Sequence, residues 1–159
     1  MKVLVDVQQA CNDDTIPETE IIDAWVTRAV EAAGTSHDVE VSVRIVDAEE
    51  VRALNREYRD RDKTTNVLSF PAGPLAGLPD DAPTLLGDIV VCASVVDSEA
   101  AEQGKTVANH WAHMLVHGTL HLLGFDHQDE TEAAGMEALE TQVLTEHGLS
   151  DPYGASGQT

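Results

Sequence analysis

The amino-acid sequence predicts one α/β (α+β) domain, in which a mixed, roughly four-stranded sheet is backed by about five helices and a metal site lies at a helix end. Three observations support this fold class. The 159 residues suffice for a single core, strand and helix patterns alternate along the chain, and the composition is 42% hydrophobic and 24% charged, as in globular domains. We expect this domain to occupy residues 1–150 and a flexible C-terminal tail to occupy 151–159.

Four apolar segments have the length of strands. In 3–7 and 39–45 every second residue is apolar and β-branched, which is the pattern of a strand with one buried face. The segments 67–70 and 85–93 are short apolar runs of the same kind. Between them, 71–83 reads PAGPLAGLPDDAP and is predicted to be a loop because proline, glycine and aspartate favour turns.

Two helices are predicted to alternate with the first strands. An apolar stripe with helical spacing runs from Ile21 to Ala33 and is stopped by Gly34. The second helix continues through Tyr58, and Asp47 has the position of its N-cap.

Three more helices are predicted after the last strand. One covers 95–103 and ends at Gly104, and the next begins near Thr106. The last helix runs from about Glu130, turns an apolar stripe inward and stops at Gly148. This order of elements is typical of a mixed sheet with helices packed against it.

The chain is strongly acidic, with 9 basic and 29 acidic residues and a formal charge of −20. Such a charge excludes a histone-like or sliding nucleic-acid binder, which phosphate attraction holds in place. Residues 44–63 are an exception, because six of the nine basic residues lie there beside six acids. These arginines either pair with acids along a solvated helix or meet an anionic substrate.

Neither a membrane span nor an export signal is expected. No stretch approaches the ~18 apolar residues of a span, and Asp6 comes too early for a secretory signal, so we expect a cytoplasmic protein. Cys11 and Cys92 form no CxxC pair, which excludes a disulfide scaffold or a four-thiolate zinc site. Both are expected to be reduced, buried thiols.

Five of the seven histidines lie between residues 110 and 127. They are His110, His113, His117, His121 and His127. Neighbours four residues apart on a helix lie about 6 Å apart and can share an ion, whereas eight residues span about 12 Å, which separates His113 from His121. Gly124 can reverse the chain in the left-handed conformation and return His127 to the preceding turn. This geometry selects His117, His121 and His127 as metal ligands.

The resulting pattern, HxxxHxxGxxH, has the spacing of the metzincin zinc signature, but Gly118 stands where a metzincin has its catalytic glutamate. A peptidase is therefore disfavoured, although three imidazoles leave a coordination position open for water. His110 and His113 either support the site from behind or lie at the surface. Asp126 either orients an imidazole or caps the turn, and Asp88 poses a similar question.

The segment HGTLHLLGFDH resembles the signature of the YbeY family of bacterial endoribonucleases. The segments NREYRDRDKTTNVLSFP, LLGDIVVC, EALET and DPY are also similar to that family, so the likeness covers most of the chain. Thr64 stands where many relatives have proline, and Phe125 where many have tyrosine. Neither departure touches the three histidines.

The resemblance implies a zinc-dependent endoribonuclease that cuts single-stranded RNA, trims ribosomal RNA at the 3′ end of the small-subunit RNA and acts in ribosome quality control. It implies one Zn²⁺ per chain on the three histidines. Its expected partners are ribosomal RNA, the small ribosomal subunit and assembly factors, with neither DNA nor a membrane among them.

The resemblance also implies that Arg59 is the arginine on which activity depends, either by clamping a phosphate oxygen or by stabilising charge in the transition state. We expect Lys63, Asn66 and Ser69 to contact the substrate, although the run 66–70 is equally typical of an ordinary edge strand. No general base is identifiable.

Two other hypotheses stay open beside the ribonuclease. One is a metallohydrolase of another ester or a peptide. The other is a non-catalytic ribosome-assembly factor in which zinc is structural. Coordination closed by four protein ligands would favour the structural role, and an open fourth position would favour catalysis.

Overall fold

A computed structural model describes residues 2–72, 83–125, 129–149 and Pro152. Its elements, in chain order, are β1 (Val3–Gln9), α1 (Thr19–Ala32), β2 (Val39–Val46), α2 (Ala48–Arg59), β3 (Val67–Pro71), β4 (Thr84–Cys92), α3 (Ala93–Gln103), α4 (Val107–Leu122) and α5 (Glu130–Glu146). The predicted α/β class, with four strands and five helices, is confirmed. Most of the predicted loop and all of the predicted tail except Pro152 lie outside the described residues.

The four strands form one mixed sheet in the order β1-β2-β4-β3. Strands β1, β2 and β4 are parallel, whereas β3 pairs with β4 in the antiparallel sense. The run 67–71 is therefore an edge strand, as one of its two interpretations predicted. Its inner neighbour β4 is buried along most of its length.

Each face of the sheet has its own hydrophobic core. The larger core joins alternate residues of β2 and β4, such as Val43 and Ile89, to helices α1, α3, α4 and α5. The smaller core lies on the other face and includes Val90 and Cys92 of β4 with Val51 of α2. Helix α4 contacts β3, β4, α1, α3 and α5, so the histidine-rich helix lies in the middle of the helical layer.

The helix ends follow the predicted chemistry. The Asp47 carboxylate accepts the backbone N–H of Glu50 at 2.9 Å, and the Thr106 hydroxyl accepts that of Asn109 at 3.1 Å. Both contacts satisfy N–H groups that the first turn leaves without a helical partner. Gly104 ends α3 with φ 67°.

One core prediction on α1 is wrong, because Ile21 is 48% exposed. The packed stripe starts at Ile22 and continues through Val26 and Ala29. Successive residues of a helix are rotated by about 100°, so Ile21 falls beside this stripe. Within the described part of the chain, no helix has the length and apolar character of a membrane span.

Candidate metal centre and active-site cavity

His117 and His121 lie one turn apart near the C-terminal end of α4. Their Nε2 atoms are 3.1 Å apart, so both rings direct the same nitrogen to one point, as the i, i+4 spacing predicts. Two nitrogens bound to one tetrahedral zinc ion at about 2.0–2.1 Å would lie roughly 3.3 Å apart. The distance between the two Nε2 atoms is therefore close to that of two ligands of one zinc ion. His127 and Asp126 lie outside the described residues.

Glu140 of α5 holds the other side of the His117 ring. Its side chain is fully buried, and its Oε1 is hydrogen-bonded to Nδ1 of His117. Its Oε2 lies 3.4 Å from Nε2 of His113. Because an ionised carboxylate only accepts, the His117 proton belongs on Nδ1, and the lone pair of Nε2 then points away from Glu140. We call His113, His117 and Glu140 the Glu140 cluster.

The Glu140 cluster also meets the distance requirement of a metal site by itself. One ligand atom from each of its three residues lies within 4.8 Å of the others. These atoms already contact one another behind the His117 ring, whereas the two Nε2 atoms meet on its opposite side. His117 therefore presents one nitrogen to each of two candidate positions.

Glu140 is a residue that sequence reasoning missed. It lies within EALET, and its α5 neighbours Met136, Val143 and Leu144 are buried beside it. The available signal was a lone acid within an apolar stripe, four residues after Met136 and three before Val143. Because an acid is almost never fully buried unless it is paired, this position indicates a buried partner.

A second glutamate reaches α4 from α3. Oε1 of Glu99 lies 2.9 Å from Nε2 of His110, and the Asn66 amide donates to both Glu99 oxygens at 3.0 and 3.3 Å. Burial lowers the pKa of His110 against the opposing effect of Glu99, so near neutral pH its Nε2–H donates to the carboxylate. We call Asn66, Glu99 and His110 the Glu99 cluster.

Both upstream histidines are buried, His110 at 2% and His113 at 7% exposure. The interpretation that they lie at the surface is therefore wrong. His113 is a neighbour of His117 through Glu140, as its place one turn upstream suggested. The role of His110 beside Glu99 was not foreseen, because no sequence spacing links Glu99 of α3 to His110 of α4.

One cavity of about 750 Å³ brings most of the predicted site residues together. Its described lining includes Arg59, Lys63, Asn66, Ser69, His117 and His121. Asp88 is not among the described residues that line it. The cavity thus joins His117 and His121 to every residue predicted to contact the substrate.

The lining of this cavity is positively charged. Arg59, Arg61 and Lys63 contribute to it, and none of the described lining residues is acidic. The whole chain carries −20, so the cavity is a local reversal of the prevailing charge. Such a concave cationic surface attracts an anionic group.

The basic segment 44–63 divides into paired arginines and cations that line the cavity; pairing with acids is confirmed for two arginines, and contact with an anionic substrate stays a prediction. Arg44 pairs with Glu50 at 2.6 Å, and Arg52 pairs with Asp62 at 2.8 Å. Both pairs are open to solvent, at least in part, and solvent-exposed ion pairs add little to stability. The three cations nearest the end of the segment instead line the cavity.

Arg59 is held at the cavity by the adjacent edge strand. Its Nη2 donates to the backbone carbonyl of Ser69, and its guanidinium carbon lies 5.4 Å from the centre of the Phe70 ring. Asp60 follows with φ 57° and ends α2. A guanidinium has five N–H donors, so this anchor leaves most of them available to a ligand.

Ser69 and Gly118 lie where α4 packs closely against the sheet. The Ser69 hydroxyl donates to the Gly118 carbonyl at 3.0 Å. A Cβ on Gly118 would lie 2.9 Å from Cγ2 of Ile89 and 3.3 Å from Cγ2 of Val67. The position of the metzincin glutamate therefore faces the sheet and has no room for a side chain.

Comparison with known proteins shows the family of this chain and agrees with its fold. The family model described as Endoribonuclease YbeY matches residues 6–148. Curated relatives with that name include a protein of Halorhodospira halophila, 58% identical over 137 residues that cover 86% of this chain and 88% of the relative. Another, from Psychromonas ingrahamii, is 47% identical over 156 residues, covering 96% and 97%.

A third relative with the same name, from Cellvibrio japonicus, is 51% identical over 154 residues, covering 96% of this chain and 84% of its own. Among solved structures, the solution structure of a Thermotoga maritima protein matches with a TM-score of 0.56 and 24% identity, covering 91% of each chain. This last likeness concerns the fold alone.

Proposed function

This chain belongs to the YbeY family, and from that premise we propose that it is a zinc-dependent endoribonuclease for single-stranded RNA. One observation carries the proposal: a single cavity combines two converging imidazoles with three cations and, among its described lining, no acid. A phosphodiester is a substrate that uses both features, and the endoribonuclease relatives favour RNA. The preference for single strands rests on the family resemblance.

The described residues fit a zinc ion. His117 and His121 would hold it through Nε2, with His127 as the third ligand, and Glu140 fixes the tautomer that frees the Nε2 lone pair of His117. Imidazole nitrogen is a ligand that zinc prefers. When bound, zinc supplies a Lewis acid beside the scissile phosphate.

Arg59 acts on the phosphate. Its guanidinium is held by the Ser69 carbonyl and the Phe70 ring, so its remaining donors need little reorganisation to meet a phosphate oxygen. Donors fixed in this way stabilise charge that develops in a transition state. Lys63 and Arg61 at the rim attract the adjacent phosphates of the strand.

The expected setting is ribosome maturation. We propose that the substrate is ribosomal RNA, including the 3′ end of the small-subunit RNA, and that the protein works in the cytoplasm with the small ribosomal subunit and its assembly factors. The strongly acidic remainder of the surface repels nucleic acid, which favours engagement of a single strand at the cavity over adhesion to RNA in general.

The two rival hypotheses have less support. The absence of space at Gly118 argues against a peptidase that uses a glutamate base at that position. A structural zinc ion is disfavoured because His117 and His121 line an open cavity, where they can meet a substrate.

The test is cleavage of an end-labelled single-stranded RNA by zinc-loaded protein, with Arg59→Ala compared with Arg56→Ala. Arg56 is exposed on the same helix and is not among the described cavity residues. Loss of a donor to a transition-state oxyanion typically costs 10²–10³ in rate, so we expect about a hundredfold loss for Arg59→Ala and little change for Arg56→Ala.

Metal content, measured by elemental analysis, should be the same in both variants. Arg59→Lys should recover only part of the rate, since lysine lacks the planar fork. Cleavage by Arg59→Ala at the native rate would remove Arg59 from the mechanism, and an inactive zinc-loaded wild type would refute the proposed function.

A further inference from the structure

The Asn66 side chain is held on two sides in a single orientation. Its Oδ1 accepts the backbone N–H of Val67 at 2.6 Å, and its Nδ2 donates to Glu99 at 3.0 and 3.3 Å. In the reversed orientation, the amide NH₂ would face the backbone N–H of Val67, and the amide oxygen would face the carboxylate of Glu99. Only the observed orientation satisfies both contacts.

This arrangement leaves one donor of Asn66 uncommitted among the described contacts. An amide has two N–H bonds that diverge widely, whereas the two oxygens of a carboxylate lie side by side. One N–H therefore serves both oxygens of Glu99. Asn66 also lines the cavity that contains Arg59 and His117, where its second N–H can meet a ligand.

Glu99 is itself held in place from behind. His110 donates to Oε1 at 2.9 Å, and the His110 ring is buried in the helical layer. Lys105 adds a positive charge near the carboxylate. The chain of contacts thus runs from a buried ring through a carboxylate to an amide at the cavity.

We propose that Glu99, supported by His110, is a positioning residue that aims the second N–H of Asn66 at an oxygen of the bound RNA strand. The proposal rests on the proposed function for the identity of the ligand. Glu99 is not among the described residues that line the cavity, so its proposed positioning effect on RNA is exerted through Asn66.

The experiment measures the Kd of an uncleaved 2′-O-methyl single-stranded oligoribonucleotide for zinc-loaded protein. It compares Asn66→Ala, Glu99→Ala and the double variant in a double-mutant cycle. Loss of one hydrogen bond should weaken binding about five- to tenfold in each single variant. The double variant should bind no more weakly than Asn66→Ala, because both changes remove the same contact.

Glu102→Gln is the matched control, since Glu102 is exposed on the same helix, and it should bind like the wild type. A spectroscopic readout accompanies the cycle: the Asn66 side-chain amide signals in a ¹⁵N spectrum should shift in Glu99→Ala and stay in place in Glu102→Gln. If Glu99→Ala does not fold, Glu99→Met takes its place in the cycle, because methionine has a similar length and no oxygen to accept from Asn66.

Wild-type affinity in the Glu99 variant, or additive losses in the double variant, would overturn the proposal. Failure of the wild type to bind the oligonucleotide would also overturn it. Binding that shows the expected coupling, in a protein that leaves unmodified RNA intact, would refute the proposed endoribonuclease and support the positioning role. The two proposals therefore fail in different ways.

Discussion

Helix α4 is met by two glutamates from neighbouring helices, and the two contacts differ in depth. Glu140 is fully buried and joins two imidazoles, whereas the Glu99 side chain is 28% exposed and joins one imidazole to an amide. The same pairing of carboxylate and histidine therefore ends in different groups. The role of each glutamate therefore depends on the second group that it contacts, and not on its pairing with a histidine.

The difference follows from what each neighbouring element brings to α4. Helix α5 packs on the C-terminal half of α4 and places Glu140 behind His117, whose other nitrogen meets His121. Helix α3 packs on the N-terminal half and connects α4 to the start of β3 at Asn66. The Glu140 cluster thus orients a candidate metal ligand, and the Glu99 cluster orients a polar group of the cavity.

The largest expected effect separates the two metal positions that share His117. His121→Ala should lose nearly all bound zinc after dialysis, because it removes one of the two converging Nε2 ligands. His113→Ala should retain zinc, since Nε2 of His113 lies near Glu140 behind the His117 ring, away from the two converging Nε2 atoms. Elemental analysis measures the zinc content of each variant.

His37→Ala provides the control, because His37 is an exposed histidine of the loop between α1 and β2. If His121→Ala retains zinc and His113→Ala loses it, the zinc site is the Glu140 cluster and not the His117–His121 pair.

A smaller effect should distinguish the two glutamates from each other. Glu140→Gln should weaken zinc binding about 10- to 100-fold, as loss of a group that orients a ligand typically does. Glu99→Gln should change zinc affinity less than about twofold, because Glu99 contacts no candidate ligand among the described residues. Competition with a chromophoric chelator measures both, and equal losses would contradict the division of roles.

The smallest effect is a pH dependence of stability at the Glu99 cluster. Burial lowers the pKa of His110 below its ordinary value of 6.5, with Lys105 and His113 acting in the same direction and Glu99 opposing them. Between pH 6.5 and the lower pKa of the folded state, the unfolded chain therefore binds a proton that the folded chain does not. The contribution of His110 to the free energy of unfolding is therefore fully present above pH 6.5 and is lost as the pH falls below it.

Urea unfolding at pH 5.5 and 7.5, with a chelator present to exclude metal linkage, measures this effect. His110→Gln should lose less stability than the wild type between the two values, since glutamine does not titrate. An identical loss in both proteins would show that His110 makes no contribution to the pH dependence.

Local patterns predicted the elements well. Alternating valines predicted β1 and β2, and Asp47 and Gly104 predicted where α2 begins and where α3 ends. These features depend on neighbours in the chain, so a single sequence contains them. Ile21 was misassigned because a helical stripe has an edge, and only packing decides which residues at that edge are covered.

The candidate site divides in the same way. The spacing of His117 and His121 predicted a convergence that follows from helix geometry. One segment of the sequence predicted four substrate contacts, and all four residues line the same cavity: Arg59, Lys63, Asn66 and Ser69. Glu99 and Glu140 were missed because each contacts a histidine of another helix. Glu99 lies 11 residues from His110, and Glu140 lies 27 residues from His113.

Periodicity, spacing and motifs in the sequence are enough to predict the fold class, the paired histidines and the family. The folded chain adds which glutamate lies behind which imidazole, that Gly118 faces the sheet, and that three cations of the basic segment line the cavity while two arginines form surface pairs. No local pattern specifies these features, because burial and hydrogen bonding across elements are set by how α3, α4 and α5 pack.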